Sequence, residues 1–150
     1  MSSLLHLDKR ITLVPVANLR HIESYSKRRV KWLIQKIKTE QIWTTPLCVD
    51  KHHYLVMDGQ HRMETAKLLG LRYVPCVLFD YAEVDIWSLR DNYTFDVATV
   101  VERSLCNNIY PYKTVKHRFP FEIPEIAISL SELMQFGNHI VINEVETSCA

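Results

Sequence analysis

Asp58-Gly59-Gln60-His61-Arg62 packs a carboxylate, an imidazole and a guanidinium into five consecutive residues. A carboxylate can hold a hard metal ion. Imidazole and guanidinium donate to phosphate oxygens, and glycine lets the backbone approach closely. These are the parts of a site that handles phosphoryl groups. The segment follows the apolar run Tyr54-Leu55-Val56-Met57 and opens the amphipathic stretch Met63 to Gly70, which reads as strand, tight turn, helix. A helix N-terminus offers unpaired amides and partial positive charge to an anion. Asp58 is also placed to cap that helix, and Arg62 to form a structural ion pair.

The elements around the turn are legible in outline. Ile11 to Val16 is β-branched and reads as an opening strand, and Asn18 to Tyr25 is a polar connection carrying His21 and Glu23. Val30, Leu33, Ile34 and Ile37 form the stripe of an amphipathic helix from about Ser26, its N-cap, to Thr39. Pro46 to Val49 and Tyr54 to Met57 flank a polar turn and predict a hairpin, and Gly70 is a natural stop for the helix after it. Tyr73 to Phe79 reads as a strand, with Pro75 favouring an edge or a strand start. Val84 to Trp87 fits strand or helix, and Val97, Val100, Val101 and Leu105 predict a helix ending near Asn107-Asn108. Tyr110 to Pro120, with its basic residues and prolines, reads as a loop. Ser129-Leu130-Ser131-Glu132 is a capping box that starts a short helix, and His139 to Ile142 reads as a last strand.

With 150 residues, 47% hydrophobic and 23% charged, the chain has the profile of one globular domain. Its net charge of +1 argues against bulk nucleic-acid binding, although Ser26-Lys27-Arg28-Arg29-Val30-Lys31, with Lys36 and Lys38, is a local basic cluster. A solvated helix face accounts for that cluster. Cys48, Cys76, Cys106 and Cys149 lack metal-ligand spacing, and Cys48 and Cys76 lie in apolar runs as buried free thiols would. No zinc-type Cys/His cluster is present. No apolar run is long enough to span a bilayer and no secretory pattern opens the chain, so a cytoplasmic protein without a membrane partner is expected.

Leu47 through Val77 resembles the ParB/sulfiredoxin-like superfamily, in which a hairpin feeds a turn at a helix N-terminus where nucleotide phosphates rest. Sulfiredoxins place a catalytic cysteine directly before His-Arg in that turn. Gln60 stands there in this chain, so the thiol chemistry is absent. ParB partition proteins carry an arginine pair, which Gly59-Gln60-His61-Arg62 lacks, and a DNA-reading module with no evident counterpart here. The free-serine kinases, with Asp-Gly-His-His-Arg, differ from this turn at Gln60 alone. Two further motifs agree with that branch. His21-Ile22-Glu23 stands where the family has its catalytic glutamate, and Lys113-Thr114-Val115-Lys116-His117 before Pro120-Phe121 is similar to the family's Lys-Thr-x-Arg-His substrate loop. Ile126 to Leu133 is similar to its closing segment, so the resemblance spans about residues 11 to 135.

This resemblance implies an α+β fold, a ParB/sulfiredoxin-like single domain over residues 1–150 with a mixed sheet and packed helices. It implies a kinase that uses Mg²⁺ and ATP or ADP to phosphorylate the side-chain hydroxyl of a free amino acid, L-serine first among them. Glu23 would be the general base and Asp58 a Mg²⁺ ligand, directly or through water. Gly59, Gln60, His61 and Arg62 would bind the nucleotide phosphates. Trp87, Lys113, Thr114, Lys116 and His117 would contact the substrate, while Trp43 matches a similar family position beside Pro46, with packing alone as its alternative role. The alternative is a non-catalytic ParB-like nucleotide-binding regulator that contacts DNA through the Ser26–Lys38 helix. The family's kinases also carry a lobe between the turn and the Lys-Thr loop, where this chain has a short connection.

Overall fold

The computed structural model describes residues 3–93 and 96–136. Its central sheet has the strand order β1-β5-β3-β4, built from β1 (Ile11–Pro15), β3 (Leu47–Asp50), β4 (Val56–Asp58) and β5 (Tyr73–Phe79). The sheet is mixed, because β5 runs antiparallel to β1 and parallel to β3, while β3 and β4 form the expected hairpin. The parallel pair is joined through β4 and α2 (Gln60–Leu68). Two ribbons complete the strands: β2 (Ile42–Trp43) with β8 (Ile128–Ser129), and β6 (Asp85–Ser88) with β7 (Val115–Arg118).

All four residues of β3 are buried, as a strand covered on both faces requires. Alternation then sorts the core. Leu47, Val49, Val56, Val74 and Cys76 pack with Met63 and Ala66 of α2 and Ile37 of α1 (Lys27–Glu40). Cys48, Leu55, Met57, Val77 and Phe79 face the other way, toward Val100 of α3 (Val97–Leu105) and Val115 of β7. The sheet therefore has helices α1 and α2 on one face, and α3 with the β6–β7 ribbon on the other.

Ser26 caps α1 as expected, its Oγ accepting from the Arg29 amide at 3.2 Å. Asp58 does not cap α2. It ends β4 with an exposed side chain, and Gly59 takes the N-cap position at φ 118° with no side-chain cap, so the first amides of α2 keep their donors for a ligand. Ser129 Oγ accepts from the Glu132 amide at 3.2 Å and opens helical residues 130–136, while Glu132 itself accepts from the Leu4 amide.

Two expectations need correction. Pro75 lies within β5, an inner strand, and not at an edge or start. The Val16 amide donates to the Arg72 carbonyl, and counting along by twos turns the Pro75 nitrogen away from β1, toward the very beginning of the β3 ladder at Leu47–Cys76. Its missing N–H thus costs little. The Tyr110–Pro120 segment is not all loop, since Val115–Arg118 pairs with Asp85–Ser88. Its prolines fall outside the paired residues, and Val115 supplies the buried position that the many charges obscured. The same pairing settles the Val84–Trp87 stretch in favour of strand, which begins at Asp85 and runs to Ser88. The strand expected at His139–Ile142 lies outside the described residues, as does Cys149. Among the described residues no helix is long and apolar enough to cross a membrane.

Gly59 combines a left-handed φ with a close approach, because an added Cβ would lie 2.8 Å from the buried Leu47 Cγ. Gly70 shares the positive φ, 76°, but an added Cβ there would meet nothing within 4 Å. Gly70→Ala should cost about 1 kcal/mol for its backbone alone, and Gly59→Ala should cost clearly more. Urea unfolding of both variants tests this: equal losses would remove the close-approach argument.

Candidate active site

A cleft of about 500 Å³ opens between α1, the Asp58–Arg62 turn and the segment running into β7, and its walls include Glu23, Asp58, His61, Lys113, Lys116 and His117. Residues ninety positions apart are therefore brought together, and the Glu23 carboxylate joins them. Buried Ile22 anchors this stretch: its carbonyl accepts from the Tyr110 amide, and the Ser24 amide donates to the Tyr110 carbonyl. Glu23 Oε2 then accepts from the amides of Thr114, at 3.0 Å, and Val115, at 2.8 Å. A left-handed Lys113, φ 58°, immediately precedes these two amides. Oε1 takes no hydrogen bond from the described residues.

Thr114 is buried and does not line the cleft. Its hydroxyl donates to the Pro111 carbonyl at 2.6 Å and accepts from Arg90 Nε at 3.0 Å, while Arg90 Nη2 donates to the Tyr112 carbonyl. Thr114 and Arg90 brace the loop that meets Glu23. Trp87 stands on β6, 40% exposed and off the cleft wall, with the Arg118 guanidinium 5.7 Å over its ring. Trp43 is buried and packs, its Nε1 donating to the Thr45 carbonyl.

The turn divides its side chains between cleft and interior. His61 Nε2 accepts from the Ser26 amide at 3.1 Å, which ties the start of α1 to α2 and leaves Nδ1–H as the ring's donor. Burial, then the neighbouring Arg29, Arg62 and His21, hold the His61 pKa below its ordinary value. Arg62 Nη1 donates to the Pro46 carbonyl at 2.6 Å, and Nη2 sits 3.7 Å from Asp58 Oδ1, so this guanidinium is partly structural.

Gln60, expected at the phosphates, turns its side chain inward and is 7% exposed. It donates to the Val56 carbonyl and meets His21 Nδ1 through Oε1. His21 Nε2 lies 2.6 Å from Glu64 Oε2, and Tyr25 donates to Glu64 Oε1 at 2.9 Å. Burial raises the Glu64 pKa, but hydrogen bonds from His21, Tyr25 and Lys67 outweigh it and leave the net shift downward. The reason for the turn inward is local: at the first helical position, the Gln60 amide reaches the strand carbonyl four residues back.

Sequence reasoning missed Arg29, Trp32 and Lys36, which line the cleft from α1. Their spacing puts them on one helix face. The signal was present in the basic cluster, but a solvated face explained it equally well. Arg29 and Lys36 are thereby drawn from the face that a DNA contact would use. Cys48 and Cys76 are buried and free, and burial pushes the Cys48 thiol up to about 12, so neither is a nucleophile. No group of three or more metal-ligating side chains exists among the described residues. Asp58, one exposed carboxylate at the cleft, fits a Mg²⁺ that takes its remaining ligands from phosphates and water, but not a cage made of protein alone.

Burial pushes the His117 pKa from 6.5 down to about 4, with Asp58 opposing and Lys116 adding to the fall. His61 shifts the same way. Between those values the unfolded chain binds protons that the folded chain does not, so stability rises with pH and is lost as pH falls from 6.5 toward 4. Ring NMR should show His117 neutral at about pH 5, and the urea midpoint should drop between about pH 7 and 5, less so in His117→Asn. Protonation of His117 near its ordinary value would refute the assignment.

No protein-family model matches the chain. An ATP-dependent L-serine kinase from Desulfurococcus mucosus is 35% identical over 80 residues, which cover 49% of this chain and 31% of the relative. The ATP-dependent L-serine kinase of Staphylothermus marinus matches with the same identity and coverage. The match thus spans less than a third of these relatives' length. Among solved structures, a free serine kinase in complex with AMP superimposes with a TM-score of 0.76 at 14% identity, covering 83% of this chain and 93% of that one. C-terminally truncated SbnI from Staphylococcus aureus gives 0.77 at 12% identity, covering 97% and 99%. The α+β expectation is borne out in fold over most of the chain, and the resemblance to the free serine kinases is borne out in sequence over 49% of it.

Proposed function

We propose that this chain is a cytoplasmic ATP-dependent kinase that phosphorylates the hydroxyl of free L-serine to give O-phospho-L-serine and ADP. The observation that carries this reading is Glu23: one carboxylate oxygen is fixed by two backbone amides, and the other is uncommitted in a cleft that also holds the phosphate turn. The relatives' names support ATP as the donor, and solved neighbours in complex with AMP or ADP support an adenine nucleotide in the cleft.

In this mechanism the serine oxygen attacks the γ-phosphorus as the bond to the β-phosphate oxygen breaks, and Glu23 Oε1 receives the hydroxyl proton. The two amides on Oε2 hold the carboxylate in place. The uncapped amides of α2 and His61 Nδ1–H donate to phosphate oxygens, and Gly59 permits the approach. Arg62, Arg29 and Lys36 add positive charge. Gln60 acts through its backbone, since its side chain serves the interior. Asp58 would hold Mg²⁺, which would supply charge neutralisation at the phosphates. Lys116 and His117 face the amino acid's carboxylate, with Lys113 beside them. Thr114 contributes by bracing the loop, and Trp87 has no part in the contact.

Incubation with Mg²⁺, ATP or ADP, and a panel of hydroxy amino acids, read by mass spectrometry, should yield O-phosphoserine. No phosphate gain on any of them with either nucleotide would refute the kinase. Glu23→Gln keeps an oxygen for the two amides, so it should bind nucleotide normally while kcat falls about 10²- to 10⁴-fold. An unchanged rate would remove Glu23 from the base role.

A further inference from the structure

Tyr81 lies behind the cleft wall in the short turn after β5, buried with Phe79 and Val84. Its hydroxyl is 3.0 Å from His117 Nε2. His117 Nδ1, on the other side of the ring, is a buried polar atom with no hydrogen-bond partner among the described residues. The ring plane is set by Phe119, stacked within 7° of parallel, with Phe119 in turn against Phe79. Stacking thus holds the ring plane, and with Nε2 toward Tyr81 the proton's position is left to decide.

Two arrangements are open to a neutral ring. If Nε2–H donates to Tyr81, the buried phenol proton has no acceptor among the described residues and Nδ1 has no donor. If Tyr81 donates to Nε2, the phenol is satisfied and a lone buried Nδ1–H is left on a ring that lines the cleft. The second leaves one group unmet where the first leaves two, and each buried unmet group is costly. We propose that Tyr81 is a positioning residue: its hydroxyl donates to His117 Nε2 and fixes the ring in the Nδ1–H form, which offers a donor to a carboxylate oxygen of the substrate. Burial, which holds His117 neutral, agrees with this. Lys116, the preceding residue, brings a cation to the same cleft. The ligand's identity as a free amino acid rests on the kinase reading above. The tautomer does not.

Long-range ¹H–¹⁵N spectra of the full chain test the tautomer directly. His117 should be protonated at Nδ1, and Tyr81→Phe should move the proton population toward Nε2. An Nε2–H ring in the unaltered protein, or a ratio unchanged by Tyr81→Phe, would overturn the proposal. In the serine kinase assay Tyr81→Phe should raise KM for the amino acid about tenfold, with kcat and nucleotide affinity within about twofold. His117→Asn supplies an amide donor near the Nδ1 position with no tautomer to choose. In that background Tyr81→Phe should change KM by less than about twofold, and an undiminished rise would mean that Tyr81 acts through packing alone. Absence of phosphorylated product with the unaltered protein would sink the kinase reading, while the spectra would still decide the role of Tyr81.

Discussion

The two hydrogen bonds from the Thr114 and Val115 amides to Glu23 Oε2 join the connection after β1 to the start of β7. Together with the backbone pairing of Ile22 and Ser24 to Tyr110, they hold one wall of the cleft, because among the described residues the β6–β7 ribbon forms a sheet separate from the central one. A carboxylate that accepts two amide bonds is held more firmly than its own rotamers would allow, and charge-assisted bonds are stronger than neutral ones. The same group thus organises the loop and presents its other oxygen to the cleft. Arg90 and Thr114 support this from behind, so the loop is braced on both sides of the backbone that Glu23 reads.

At the phosphate turn the organising force is different. Gly59 brings β4 into α2 against Leu47, and Gln60 pins the first helical residue to the Val56 carbonyl. Gln60, His21 and Glu64 then form a chain of polar contacts within the interior, ended by Tyr25 and Lys67. Such a chain stabilises only when each member is satisfied, and each of these is. Because the network consumes the Gln60 side chain, this residue can offer the cleft its backbone amide alone. The neutral amide at this position is therefore compatible with anion binding, since the donors that matter there belong to the helix terminus.

Elements whose periodicity is local were legible in the sequence. The Ser26 cap, α1, the β3–β4 hairpin, α2 and β5 all follow from spacing and turn chemistry, and Glu23, Asp58 and His61 were placed at one site by motif order. The misreadings share a physical cause. Pro75 is tolerated in an inner strand only because its nitrogen faces the first rung of a ladder, and that depends on register. Val115–Arg118 becomes a strand through its partner, although its own composition is that of a loop. Gln60 points inward because its amide reaches the Val56 carbonyl, and only the fold shows that its oxygen then meets His21, far away in sequence. Arg29 and Lys36 look like any solvated helix charge until the opposite wall of the cleft is built.

Charge and direction are supplied by different groups in this cleft. Arg29, Lys113 and Lys116 are exposed at its edge and Lys36 is half-buried there, while among the described residues the only carboxylates on its walls are Glu23 and Asp58. Long cations at an exposed rim attract an anion over a distance, but salt screens them and their geometry is loose. The two imidazoles inside do the opposite. Burial keeps both His61 and His117 neutral, and nearby cations deepen the effect, so neither adds to the attraction. A neutral ring with one nitrogen already committed has a single N–H in a single direction. His61 is committed through the Ser26 amide and His117 through Tyr81, and in each case the remaining nitrogen is the one that can meet a ligand. On the proposed kinase reading, such a rim would capture an anionic nucleotide and an amino acid with little selectivity, while the inner donors would require oxygen atoms at particular places. Transfer would depend on that second requirement, since a reacting oxygen and phosphorus must be aligned before the hydroxyl proton can leave.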